Sequence, residues 1–127
     1  MSPREKTRPT ASELEILRVL WTRGPSTVKE VQDDLRRGER RGYTTVLKLL
    51  QIMHEKRLVE RRRDGKAHVY RARLREVQAQ KRLTADLIEG VFRGSAARLV
   101  MQALSSKTPS REDLEEVRRL LDELEEE

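Results

Sequence analysis

The pair Asp64-Gly65 limits what this chain can fold into more than any other feature of the sequence. Asp-Gly between two short segments that contain apolar residues is the strongest short-range signal for a tight β-hairpin. It separates residues 58–63 from residues 68–72, where β-branched and aromatic side chains occur without a helical period. We therefore predict a two-stranded β-hairpin over this part of the chain.

Three helical segments are predicted before the hairpin. Thr10–Glu13 and Thr27–Glu30 each match the capping box, in which a Thr hydroxyl and a Glu carboxylate satisfy free amides at a helix start. Apolar residues at three- and four-residue steps then predict a first helix that stops at Gly24-Pro25, a second that runs to Gly38, and a third from about Thr44 to Lys56. Three short helices followed by a basic hairpin are the order of elements in a winged helix-turn-helix.

Beyond Glu76 the apolar residues return to a helical spacing. With 39% charged and 3% aromatic residues, these helices lack the means to build a large core of their own, so we expect them to bury their apolar faces against a second copy of the chain. The predicted fold class is mainly α with a small β-hairpin. Residues 1–75 form a winged-helix DNA-binding domain and residues 76–127 a helical dimerisation domain. The residues predicted to lie in the dimer interface are Leu83, Leu87, Val91, Leu99, Val100, Leu104, Leu114, Val117, Leu120, Leu121 and Leu124.

The charge of the chain is divided unevenly along its length. Residues 1–75 hold 20 basic and 10 acidic side chains, whereas residues 76–127 hold 8 basic and 12 acidic ones. A basic first half is typical of proteins that bind a polyanion such as nucleic acid or an anionic membrane surface, and an acidic second half would avoid that polyanion. An arginine-rich proteome would produce part of the same excess without any function.

The third helix is the element that we expect to read DNA. Its polar face lies opposite its apolar stripe and combines short side chains near the start with hydrogen-bond donors one turn on, which suits a helix in the major groove. Basic residues in the preceding linker and on the hairpin flank this helix and are predicted to hold phosphates. The groove-facing residues are Thr44, Thr45, Lys48 and Gln51, and the phosphate-binding residues are Arg40, Arg41, Arg61, Arg62, Arg63 and Lys66.

Several classes of site have no support in the sequence. Without cysteine there are no disulfides, thiolate metal sites or cysteine nucleophiles, and the two histidines, His54 and His68, have no second set of ligands at metal spacing. We therefore expect no metal, no cofactor and no enzymatic activity. No apolar run approaches a membrane span and the first ten residues lack the core of a signal peptide, so we expect a cytoplasmic protein without membrane contacts. A winged-helix module that docks acidic proteins or RNA is the alternative that the residues leave open.

Three stretches resemble the penicillinase-repressor (BlaI/MecI) family of winged-helix transcriptional regulators. They are Ala11–Leu17 with Leu20-Trp21, Tyr43–Leu50 with Lys56–Val59, and Asp64–Ala72. The resemblance is specific over residues 10–73. It implies a homodimeric repressor that binds dyad-symmetric double-stranded DNA operators through the third helix and dimerises through the C-terminal helices.

The same resemblance implies a way to relieve repression. In the family, a signal-activated protease cuts an Asn-Phe bond within the dimerisation segment, and the corresponding position here is Gln102-Ala103. If cleavage occurs, we expect it instead at the junction of Arg93–Ser95, where Gly94 should loosen the helix. A copper-sensing branch of the family uses a C-terminal cysteine cluster, which this chain lacks.

Overall fold

The computed structural model describes residues 8–35 and 41–127. In these ranges the order of elements is three helices, a hairpin and three more helices, with one short strand after the first helix. The elements are α1 (Ala11–Arg23), β1 (Ser26–Thr27), α2 (Val28–Asp34), α3 (Tyr43–Glu55), β2 (Val59–Asp64), β3 (Ala67–Ala72), α4 (Glu76–Gly90), α5 (Ala96–Ser106) and α6 (Arg111–Glu125). The predicted fold class, a winged helix followed by a helical region, is confirmed.

Both predicted capping boxes are present. The Thr10 hydroxyl accepts a hydrogen bond from the Glu13 amide at 3.2 Å while the Glu13 carboxylate accepts one from the Thr10 amide at 2.9 Å. Thr27 and Glu30 repeat the arrangement at the start of α2. That helix ends at Asp34, before the predicted end at Gly38, because Leu35 takes an extended backbone and packs its side chain into the core.

The hairpin belongs to a sheet of three antiparallel strands in the order β1-β3-β2. Gly65 sits in the turn with a φ of 64°, a left-handed conformation that glycine adopts without steric cost. The strand β1 was not predicted. It pairs Ser26 with Tyr70 and Thr27 with Val69, and so covers the inner edge of β3. Within the described residues β2 has no partner on its other side, so it forms an edge of the sheet.

One hydrophobic core joins the elements of the winged helix. It also includes Ala79 of α4, so the core extends beyond the hairpin into the next helix. The Trp21 indole donates a hydrogen bond to the Leu74 carbonyl at 2.8 Å, which ties α1 to the segment that leaves the sheet. The buried residues of this core are Ile16, Leu17, Leu20, Val28, Val31, Leu35, Val46, Leu50, Met53, Leu58, Val59, Tyr70, Leu74 and Ala79.

Two ion pairs attach α3 to α1. After the end of α3, the Lys56 ammonium lies 2.6 Å from the Glu13 carboxylate, which is 2% exposed. Before its start, the Arg41 guanidinium lies 3.0 Å from the Glu15 carboxylate. Since these partners lie far apart in the sequence, they hold both ends of α3 in place on the rest of the domain.

The chain divides into two compact units, the first ending at Thr84 and the second spanning Ala85–Glu127. The boundary falls inside α4, beyond the division after Arg75 that the sequence suggested. No residue of the second unit is fully buried, although α5 and α6 carry regular apolar stripes. In the described ranges, no helix is long and apolar enough to cross a membrane.

We expect Glu13→Ala to destabilise the first unit by about 2–4 kcal/mol, because it removes a helix cap and leaves the half-buried Lys56 without its partner. Glu55→Ala is the matched control, since Glu55 is exposed on α3, and should change stability by less than about 0.5 kcal/mol. Urea unfolding followed by circular dichroism measures both. Equal stability of the two variants would contradict the role assigned to Glu13.

Candidate nucleic-acid interface

The helix α3 has one buried and one exposed face. Val46, Leu50 and Met53 are fully buried in the core. All four predicted groove-facing residues are exposed on the opposite side, namely Thr44, Thr45, Lys48 and Gln51. The structure therefore places these residues together on one solvent-facing surface, as the helical period predicts.

The start of α3 is open in the sense that no side chain of the described residues caps it. Its N-cap residue is Gly42, which has no side chain to bond the first amides of the helix. Uncapped amides together with the positive end of the helix dipole favour phosphate groups. The exposed residues Thr44 and Thr45 lie in the first turn of the helix, next to this uncapped end.

Two exposed side chains on α3 were missed by the sequence reasoning. Tyr43 is 49% exposed and Ile52 is 38% exposed. Tyr43 begins the helix beside Thr44, and Ile52 lies one turn beyond Lys48. The helical period contained a signal for Ile52, because this residue falls outside the stripe formed by Val46, Leu50 and Met53.

The basic residues of the hairpin are exposed but do not form a single patch. In the register of β2 and β3, Arg61 pairs with Tyr70, Arg62 with Val69 and Arg63 with His68. Since consecutive strand residues point to opposite faces, Arg61 and Arg63 lie on one face of the sheet and Arg62 on the other. Lys66 is exposed in the turn itself. The hairpin thus presents cations on both faces and at its tip.

An ion pair on the hairpin joins neighbouring strands. Arg71 of β3 donates hydrogen bonds from two guanidinium nitrogens to the Glu60 carboxylate of β2. These hydrogen bonds, more than the charges of Arg71 and Arg73, hold the pKa of Glu60 below its ordinary value. Glu60 is therefore ionised at neutral pH, and its charge is balanced by Arg71.

Of the two linker arginines, only Arg41 lies in the part of the chain that the structure describes. Arg40 lies outside the described residues. Arg41 is half-buried, and besides its ion pair with Glu15 it donates a hydrogen bond to the Ser12 hydroxyl at 3.3 Å. Its backbone carbonyl accepts a hydrogen bond from the Gln32 side chain at 3.1 Å. The structure therefore gives Arg41 a role in positioning the start of α3, and its contact with phosphate stays a prediction.

The two histidines lie apart from each other in the secondary structure. His54 is half-buried in the last turn of α3, and the His68 ring packs edge-on against the Tyr70 ring with centroids 6.4 Å apart. Among the described residues, no group of three or more His, Cys, Asp or Glu side chains is placed to hold a metal ion. The polar face of α3 and the cationic hairpin are thus the chemistry that the first unit presents to a partner.

This combination defines a winged-helix DNA-binding protein. The profile of the penicillinase repressor family matches residues 9–123, which span both units, and the chain belongs to that family. It is a repressor that binds DNA and regulates transcription.

Curated relatives extend the same match. The methicillin resistance regulatory protein MecI of Staphylococcus aureus (strain N315) is 19% identical over 112 residues, which cover 88% of this chain and 91% of the relative. The proteins of the same name from Staphylococcus epidermidis and Mammaliicoccus sciuri show the same identity and coverage. The similarity therefore covers most of the length of both chains.

Proposed function

We propose that this protein is a homodimeric repressor that acts without catalysis and binds dyad-symmetric operator DNA, with α3 of each copy in a major groove. The observation that carries the proposal is the exposed polar face of α3, with an open helix start on one side and the cationic hairpin beside it. Family membership supports double-stranded DNA as the partner. No observation favours the alternative of an RNA-binding or protein-docking module.

The side chains that read the DNA bases directly are those that follow the first turn of α3. Lys48 can donate to the O6 and N7 acceptors of guanine, and Gln51 can bond both N6 and N7 on the major-groove edge of adenine. Thr44 and Thr45 are short enough to let the helix start approach the backbone. The exposed aliphatic surface of Ile52 suits contact with a thymine methyl group, which is the apolar feature of the major groove.

Base readout and phosphate binding predict different mutant behaviour. Gln51→Ala should weaken binding by about 1–3 kcal/mol at particular base pairs, whereas Arg62→Ala should weaken binding to every duplex alike. The measurement is affinity for a duplex selected from a random pool and for single-base variants of it, at near-physiological salt. Loss of selectivity in Arg62→Ala with unchanged selectivity in Gln51→Ala would move recognition from α3 to the hairpin.

Dimerisation is assigned to the second unit because its apolar surface is uncovered. Within a single chain, Leu120, Leu121 and Leu124 of α6 are each at least half exposed, and Val91 is 65% exposed. A unit of this size with no fully buried residue gains little from folding alone. A second copy would cover these stripes, and its symmetry would match two half-sites on the DNA.

Leu121→Glu should dissociate the dimer, because it places a carboxylate in the apolar stripe of both copies. At about 1.5 kcal/mol or more for each buried Leu, the dimer should weaken by at least about 100-fold. Arg119→Glu introduces the same side chain on the opposite face of α6 and is the matched control. Sedimentation equilibrium decides the matter, and a monomeric wild-type chain at micromolar concentration would contradict the proposal.

Relief of repression by proteolysis is proposed at the junction between α4 and α5. Arg93 and Gly94 have left-handed backbones with φ of 51° and 85°, and both are exposed. Gln102, by contrast, lies within α5, where its side-chain amide donates a hydrogen bond to the Ser106 hydroxyl. Exposed non-helical backbone is the preferred site of proteolytic nicking, so the junction is the better substrate.

Mass spectrometry of the repressor from derepressed cells tests this assignment. We expect fragments that end within residues 93–95. Fragments that end at Gln102, or intact chains during full derepression, would overturn it.

A further inference from the structure

A cleft lies between the end of α3 and the beginning of β2, away from the open start of the helix. Its volume is about 380 Å³. The residues that line it are His54, Arg57, Val59, Glu60, Arg61 and Arg73. Of the proposed DNA contacts, only Arg61 is among them, so the cleft is a separate feature of the first unit.

The cleft has an excess of positive charge. Its one carboxylate, Glu60, accepts hydrogen bonds from Arg71 on the neighbouring strand, and the charge of Arg73 also helps to lower the pKa of Glu60. Among the described residues, no carboxylate forms an ion pair with the guanidinium of Arg57, Arg61 or Arg73. Arg57, Arg61 and Arg73 all contribute to the lining of this cleft, so a bound anion would offset the repulsion between their positive charges.

The backbone of Arg57 adopts a left-handed conformation that costs conformational free energy for a residue with a side chain. Arg57 has a φ of 63°, and the Leu58 amide bonds back to the Met53 carbonyl at 2.9 Å, which is the helix ending that glycine ordinarily forms. A side chain in the left-handed region costs about 1–2 kcal/mol relative to a right-handed one. The arginine side chain is exposed, and within the described residues Arg57 forms only a backbone hydrogen bond, to the His54 carbonyl, so no side-chain contact offsets this cost.

We infer that this cleft is a second phosphate-binding site, in which Arg57, Arg61 and Arg73 hold one phosphoryl group. Guanidinium groups bind phosphate oxygens through paired N–H donors, and the cleft is large enough for such a group. The phosphoryl group belongs either to the DNA backbone beyond the groove contacts or to free phosphate. The first source rests on the proposed function, whereas the second does not.

The test uses Arg57→Gly in the full-length chain. Because glycine relieves the left-handed strain, the variant should unfold at a higher temperature than the wild type, so misfolding cannot explain a loss of binding. If the site holds a DNA phosphate, the slope of log affinity against log salt should become shallower by about 0.9 for each bound chain. Arg57→Lys keeps a cation and should retain most of the slope, and Arg18→Gln, an exposed cation on α1, should leave it unchanged.

A second measurement separates the two sources. If the site holds free phosphate, inorganic phosphate should raise the melting temperature of the wild type above that in chloride at equal ionic strength, and Arg57→Gly should abolish the difference. A shallower salt slope in Arg57→Gly supports the inference with a DNA phosphate as the ligand. Loss of the phosphate-dependent rise in melting temperature supports it with free phosphate as the ligand. An Arg57→Gly variant with the wild-type salt slope and the wild-type response to phosphate would overturn it. Absence of any sequence-selective binding would instead count against the proposed function.

Discussion

The position of α3 depends on two carboxylates of α1. Glu13 receives Lys56 after the end of α3, and Glu15 receives Arg41 before its start. Glu13 also completes the cap of its own helix, so one buried carboxylate links the start of α1 to the end of α3. Removing one partner of a buried ion pair strongly destabilises the fold, because the other charge is left buried without compensation. The contacts that orient α3 therefore also contribute to the stability of the whole domain.

The two units differ in how they bury apolar surface, which is scarce in a sequence with this many charged residues. The first buries a modest core and adds hydrogen bonds from polar groups, such as Trp21 to Leu74, to join its elements. The second leaves its leucines exposed in the single chain, and in the proposed homodimer a second copy would cover them. In the proposed homodimer this division would couple DNA affinity to dimerisation, since two linked half-sites bind far more tightly than one. Under this proposal, cleavage or unfolding of the second unit would release the first unit from DNA.

Local features were predictable from the sequence, and long-range ones were not. The capping boxes at Thr10 and Thr27 and the turn at Gly65 depend on neighbouring residues, and all three are present. The strand β1 escaped prediction because two residues carry no period, and it forms only because β3 offers an edge. The unit boundary inside α4 depends on Ala79 packing into the first core, which no local pattern indicates.

The candidate site shows the same contrast. The exposure of Lys48 and Gln51 follows from the helical period alone. Arg41 was assigned to phosphate on charge, yet its partners Glu15 and Ser12 lie on another helix and are visible only in three dimensions. Likewise, Arg61 and Arg62 are adjacent in sequence but lie on opposite faces, because the strand register decides which way each points.

Hydroxyl-radical footprinting and guanine-methylation interference on a selected duplex test the central claim most directly, because they locate both copies of α3 on the DNA at once. Two major-groove contact patches related by a dyad are expected, with centres about 10–10.5 base pairs apart or a multiple of that spacing. One patch without a dyad, or contacts confined to the minor groove, would contradict a homodimer that reads its operator through α3.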